Sequence, residues 1–178
     1  MLFSLALGLI ISCNKPAAES GDLVTKRIQY DVSIVSPDPE FDWWVQNIEG
    51  SGREAFVKNI LSRASSGKVK VFDFFTYKPL AADDVKNILK RVDTIALENP
   101  DPPHELRDTV LVKEIGIHDI SKIRFMEEWY MNKESLAFDK KVIGICPLVE
   151  VFTENGDFKG NKPLFWVFFD DKYPGELK

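Results

Sequence analysis

Glu127 and Glu128 stand side by side in the run Phe125-Met126-Glu127-Glu128-Trp129-Tyr130-Met131. A pair of carboxylates is what acid–base cleavage of a glycosidic bond requires. Neighbours on a β-strand, however, point to opposite faces, so these two cannot flank one bond if the run is a strand. Only one of them can meet Asp139 or Glu150 across a sheet. Trp129 and Tyr130 offer stacking surface for a sugar, but the same residues also describe an amphipathic strand with one wet face. Lys140-Lys141 is then a cross-strand charge partner for the pair, worth roughly a few tenths of a kcal/mol. The remaining chemistry is sparse. His104 and His118 lack partners at the spacing of a zinc site. Gly50-Ser51-Gly52 lacks the Lys-Ser/Thr of a phosphate loop, and helix capping explains it. Neither a G-x-S-x-G elbow nor H-E-x-x-H is present. Cys146, inside Val142-Ile143-Gly144-Ile145-Cys146-Pro147, reads as a buried, inert thiol. The expectation is therefore no catalytic residue, no metal site, no cofactor and no enzymatic activity.

Cys13 is the exception. Leu2 to Ile11 is an apolar run, too short to span a bilayer but long enough for a signal-peptide core. It ends in Ile10-Ile11-Ser12-Cys13, which resembles the bacterial lipobox. That resemblance implies cleavage after residue 12 and lipidation of Cys13 by several acyl chains. At about 0.8 kcal/mol per buried methylene, two or more chains hold a protein durably on a membrane. Residues 13–22, small, polar and broken by Pro16 and Gly21, read as a flexible tether. With Cys13 acylated, Cys146 has no partner for an internal disulfide.

Residues 23–172 read as one α+β domain, an antiparallel or mixed β-sheet with two helices packed on it. Leu23 to Val35 alternates, with Val24, Ile28, Tyr30, Val32 and Ile34 on the face expected to be buried. Phe41 to Val45 is the densest aromatic cluster. Trp43 and Trp44 there pack in a core or lid, or else join Trp129 and Tyr130 as partner-binding anchors. Ser51-x-x-Glu54 fits a capping box for a helix carrying Phe56, Val57, Ile60, Leu61 and Ala64 inward, stopped by Gly67. Val69 to Phe75 reads as a strand. A second helix places Val85, Ile88, Leu89 and Val92 inward, with Asp83 and Asp84 in its first turn. After the proline loop of 98–105 comes a strand around Val110-Leu111-Val112. The runs Ile120–Met131 and Leu136–Leu148 form a strand pair about the corner Asn132–Ser135. Asn155-Gly156 marks a hairpin. Leu164–Phe169, apolar on both faces, is expected centrally in the sheet. Residues 173–178 read as a polar end.

The chain of 178 residues carries a net charge of −5. Its acidic balance argues against a nucleic-acid partner, whose phosphates demand a basic face. With 44% hydrophobic residues, it can build a core.

The stretch Glu127-Glu128-Trp129-Tyr130-Met131, Ser135, then Lys141-Val142-Ile143-Gly144-Ile145-Cys146-Pro147-Leu148 resembles the GldN/PorN family. These are periplasmic ring subunits of the type IX secretion and gliding machinery of Bacteroidota. Leu164 to Phe169 resembles that family's last strand, and Gly67 to Val85 its middle section, so the resemblance spans roughly residues 52–170. It implies a non-enzymatic scaffold that joins protein partners of a secretion or gliding ring, with a homo-oligomer as a further arrangement. Together with the Cys13 anchor, it implies placement on the outer membrane, facing the periplasm. The alternative is a stand-alone ligand-binding lipoprotein with the Phe41–Val45 cluster as a pocket wall.

Overall fold

A computed structural model describes residues 21–35, 50–153 and 155–177, with the backbone alone at 50, 91–98 and 108–111. The expected corner and its two flanking strands form the spine. Strand β6 is Ile120–Met131 and β7 is Phe138–Phe152. The corner closes where Asn132 Oδ1 accepts the backbone N–H groups of Glu134 and Ser135, the side-chain turn that asparagine favours. Strand β1 (Asp22–Ser33) pairs with β6, and β8 (Phe158–Pro163) pairs with β7, all antiparallel, in the order β1-β6-β7-β8. The β7–β8 hairpin turns at Gly156, whose φ of 86° suits a residue without a Cβ.

Alternation along the two central strands gives the sheet two covered faces. On one, Ile123, Ile145 and Val149 pack with Val57, Leu61 and Ala64 of helix α1 (Gly50–Ser65) and Val85 of helix α2 (Ala82–Ile88). On the other, Met126, Cys146 and Leu148 meet Trp166, Tyr173 and Leu177. The α+β architecture with two helices is thus as the sequence implies. Gly67, at φ 69°, ends α1. There Gly67 N–H bonds the Ala64 carbonyl and Lys68 N–H that of Arg63, satisfying carbonyls the helix leaves unpaired.

Several local expectations need correction. Ser51 lies inside α1, not at its cap, so no capping box forms there. Helix α2 stops at Ile88, and Val92 belongs instead to strand β4 (Lys90–Glu98), which pairs with β5 (Leu106–Glu114). Val92, Thr94 and Ile95 are β-branched, and pairing along all nine residues of β4 outweighs the helical spacing. Of Val69–Phe75, only Val71–Phe72 is strand (β2), paired with β3 (Pro79–Leu80). Asp73 breaks it, accepting the N–H groups of Phe75 and Thr76 on one carboxylate oxygen.

Leu164–Phe169 is buried as expected through Val167, yet it is not central. Val167–Phe168 pairs as β9 against Gly144 and Ile145 of β7, and Trp166 makes a single bridge to Phe72. The approach is close: a Cβ on Gly144 would lie 2.7 Å from the Phe168 ring. Strand β1, at the sheet's edge, keeps much of its expected inner face in water, with Val24 53% and Tyr30 38% exposed. Ile34, just past its end, is buried under α1. The C-terminal stretch read as polar instead buries Tyr173 and Leu177 in the second core.

Candidate functional site

Glu127 and Glu128 are the buried charged residues among those described, 3% and 2% exposed. Isolated carboxylates are expensive to bury, so each must be held by donors. A bulge arranges them. Ile143 is an extra residue on β7, so Met126 lies opposite Gly144 while Glu127 lies opposite Val142 and Glu128 opposite Lys141. Bulges of this kind re-aim side chains without ending the ladder.

Glu127 points to the face shared with Trp129 and with Tyr30 of β1. The Tyr30 hydroxyl donates to Oε1 at 2.7 Å, and the Trp129 indole donates to Oε2 at 2.8 Å. Glu128 points the other way. The Tyr130 hydroxyl donates to its Oε2 at 2.5 Å, the Tyr173 hydroxyl donates to its Oε1, and Lys172 Nζ stands 3.9 Å from that oxygen. The sheet thus carries two carboxylates back to back, each clamped by two aromatic donors. Burial pushes the Glu128 carboxyl up, but the two tyrosine hydroxyls and the Lys172 and Lys141 ammonium groups outweigh it, leaving its pKa lowered. The Glu127 carboxylate, through its hydrogen bond and then burial, pushes the Tyr30 hydroxyl up to about 12. Burial, followed by the bond to Glu128, pushes Tyr173 up to about 12.

The two carboxylates cannot straddle one substrate bond, because their donors lie on opposite sides of the sheet. The expected pairing with Lys140-Lys141 also resolves differently. Lys141 is opposite Glu128, yet its ammonium reaches Asp170 at 3.4 Å. Lys140 lies over the Trp129 ring, 4.8 Å from its centre. The Phe138 ring meets Trp129 edge-on at 5.2 Å. Trp129 and Tyr130 are both half-buried, and their polar tips are committed to the carboxylates. Trp43, Trp44 and Cys13 lie outside the described residues.

Tyr30, Lys172 and Tyr173 complete the arrangement, and the sequence did not single them out for it. Tyr30 had a signal, since a tyrosine on an alternating strand brings a hydroxyl that needs an acceptor. Tyr173 had none, because its partner is 45 residues away. Beside Tyr173, a solvent-open cleft of about 390 Å³ runs between the β2–β3 hairpin and Asp171–Gly175. Lys70 and Asp171 bridge across it at 2.5 Å. No group of metal-ligating side chains occurs among the described residues. Cys146 is fully buried, and burial pushes its thiol up to about 12, so no thiolate nucleophile is available at neutral pH.

The clamp makes stability depend on pH at both ends. Glu128 has a lowered folded pKa, so its contribution is present above the unfolded carboxyl value of 4.5 and is lost as pH falls through the folded value. Tyr30 and Tyr173 have raised folded values, so their contribution is present below 10.0 and is lost as pH rises towards about 12. Urea midpoints measured across pH are expected to plateau between these limits. A midpoint unchanged between pH 5 and 3 would contradict the Glu128 assignment.

Among curated proteins, a search found no match to the chain. A family model described as Gliding motility associated protein GldN matches residues 41–174, a span that contains both carboxylates and the aromatic donors of the clamp except Tyr30.

Proposed function

The chain belongs to the GldN family of gliding motility associated proteins, and from that premise we propose that it is a lipid-anchored, non-enzymatic scaffold of the gliding and secretion machinery. Family membership itself ties it to an envelope-associated complex with protein partners. The observation that carries the scaffold reading is the closed state of its most reactive-looking residues. Both buried carboxylates are spent on holding β1, β6 and the C-terminal segment together, which is structural work and leaves neither of the two facing a substrate.

What the body offers instead is surface. Phe75 is 79% exposed and Leu136 70%, and Phe152 and Phe158 stack edge-on at 6.0 Å while both remain exposed. Exposed apolar groups with open strand edges are what docking subunits use, whereas a ligand-binding body would be expected to enclose its ligand in a cavity.

The proposed anchor sets the geometry. Cys13 precedes the start of β1 at Asp22 by nine residues, a reach of at most about 30 Å from the membrane. The domain would therefore work in a thin layer at the periplasmic side of the outer membrane, where its effective concentration towards membrane-bound partners is raised. Cys13→Ala is expected to move the protein from the membrane to the soluble envelope fraction and to reduce recovery of gliding-machinery subunits in pull-downs by tenfold or more. Wild-type protein recovered in the soluble fraction would overturn the anchor, and a membrane pull-down without such subunits would overturn the scaffold.

A further inference from the structure

We infer that the β6–β7 corner is the membrane-facing end of the domain, set against a zwitterionic phospholipid surface with Leu136 in the interfacial layer. The inference rests on the anchor proposed above and adds to it an orientation and a contact. Leu136 is the first observation behind it, 70% exposed and held at φ 57°. Such a turn position suits glycine or asparagine, and a bulky side chain there is both strained and wet. This leucine buries little within the fold, so what it fits is an apolar layer outside the chain.

The second observation is where the chain enters the sheet. Strand β1 starts beside the end of β6, with Asp22 paired to Met131, and Lys133 bridges to Asp22 at 2.6 Å. Gly21 lies hard against the corner, where a Cβ would come within 2.5 Å of the Met131 carbonyl carbon and 2.7 Å of the Asn132 nitrogen. The sequence leading from Cys13 therefore arrives at this end of the sheet, and acyl chains on Cys13 would bring this end to the bilayer. Strand β7 is 15 residues long, so its far end, with Phe152 and Phe158, stands about 45 Å away.

The chemistry of this end fits a neutral interface. Leu23, Val24 and Phe138 are exposed around Leu136. The charges among them balance, with Lys26, Lys133 and Lys140 set against Asp22, Glu134 and Asp139. A patch without net charge has no electrostatic preference for anionic headgroups, so its attraction is apolar burial at the headgroup boundary. One shallow contact suffices once the acyl chains hold the domain in the plane, because its effective concentration there is high. Phe75 and the Phe152–Phe158 pair remain for protein partners.

The test uses the full acylated chain in vesicles of phosphatidylethanolamine and phosphatidylcholine. A fluorophore is attached at Ser135→Cys, beside the leucine, or at Phe158→Cys, at the far end. Cys146 is fully buried and stays unlabelled. Doxyl-labelled lipid is expected to quench the Ser135→Cys probe at least about twofold more than the Phe158→Cys probe, and aqueous iodide should quench them in the reverse order. Leu136→Asn suits the positive φ and so keeps the fold, and it should cut lipid quenching at Ser135→Cys by about half or more. Flotation separates the anchor from the contact. Protein that does not float with the vesicles overturns the anchor and this contact with it. Floating protein whose Ser135→Cys probe is as open to iodide as the Phe158→Cys probe overturns the contact alone. Shielding of the corner only by an added protein partner, or lipid quenching that requires phosphatidylglycerol, would also overturn it.

Discussion

Trp166→Ala is expected to lower the unfolding free energy by about 3–5 kcal/mol, the range for emptying a large aromatic site in a core. The indole is wholly buried, with Phe74 and Phe168 stacked against it at 5.7 Å and near-parallel planes. Its backbone also matters, since Phe72 N–H bonds the Trp166 carbonyl at 2.9 Å and Trp166 N–H bonds the Phe72 carbonyl at 2.8 Å. Those bonds survive the substitution, so the loss is a packing loss. Trp166→Phe provides the contrast. The indole Nε1 is buried without a hydrogen-bond acceptor among the described residues, so removing the N–H sacrifices no hydrogen bond. The phenyl variant should therefore keep well over half of the stability that alanine loses. Chemical denaturation of the three proteins measures this directly. Equal losses for Phe and Ala would mean that the indole N–H has a partner of its own.

Glu128→Leu is expected to cost about 3 kcal/mol, and the reason differs in kind. The leucine fills the space, but it leaves the buried Tyr173 hydroxyl and the Tyr130 hydroxyl without their acceptor, while Lys172 keeps its ion pair with Glu176. Stranding the partners of a removed buried charge is more costly than losing the bond itself. Glu128→Leu combined with Tyr173→Phe should then be more stable than Glu128→Leu alone, because both halves of the pair are gone. Glu128→Gln, which retains an acceptor but no charge, should fall between wild type and Glu128→Leu. The acid limb of the pH profile should also flatten in both Glu128 variants. If the double variant shows simply additive loss, the two side chains are not coupled and the clamp is not the stabilising unit described above.

The sequence made the central strand pair legible for a plain reason. Strand β6 appears with the expected ends, Ile120 and Met131, because dense aromatic and β-branched residues followed by a turn-forming asparagine leave little else to form. The family was legible in the same stretch, and the family match at 41–174 encloses all of the expected 52–170. The α1 stripe was also readable, since Val57, Leu61 and Ala64 fall on one face whatever they pack against. Where two periods fit the same residues, the sequence misled. Val85, Ile88, Leu89 and Val92 sit at helical spacing, yet Val92 lies in a strand opposite Val112. Periodicity cannot weigh a distant pairing partner against a local turn.

The carboxylates show the same division. That Glu127 and Glu128 face opposite ways follows from strand geometry alone, and their neighbours Trp129 and Tyr130 follow from spacing, since residues two apart share a face. That both are buried did not follow, because covering the second face depends on chain brought from elsewhere. Tyr30, roughly a hundred residues earlier, reaches Glu127 only because β1 lies beside β6. Tyr173, in a stretch that reads as a polar end, reaches Glu128 only because the chain after β9 folds back over the sheet. Composition and periodicity act over one or two turns of chain, and they determined the central strand pair, the inward stripe of the first helix and the family signature. Burial and charge compensation are sums over everything that arrives in space, so the tertiary structure alone decided that the acidic pair is a structural clamp.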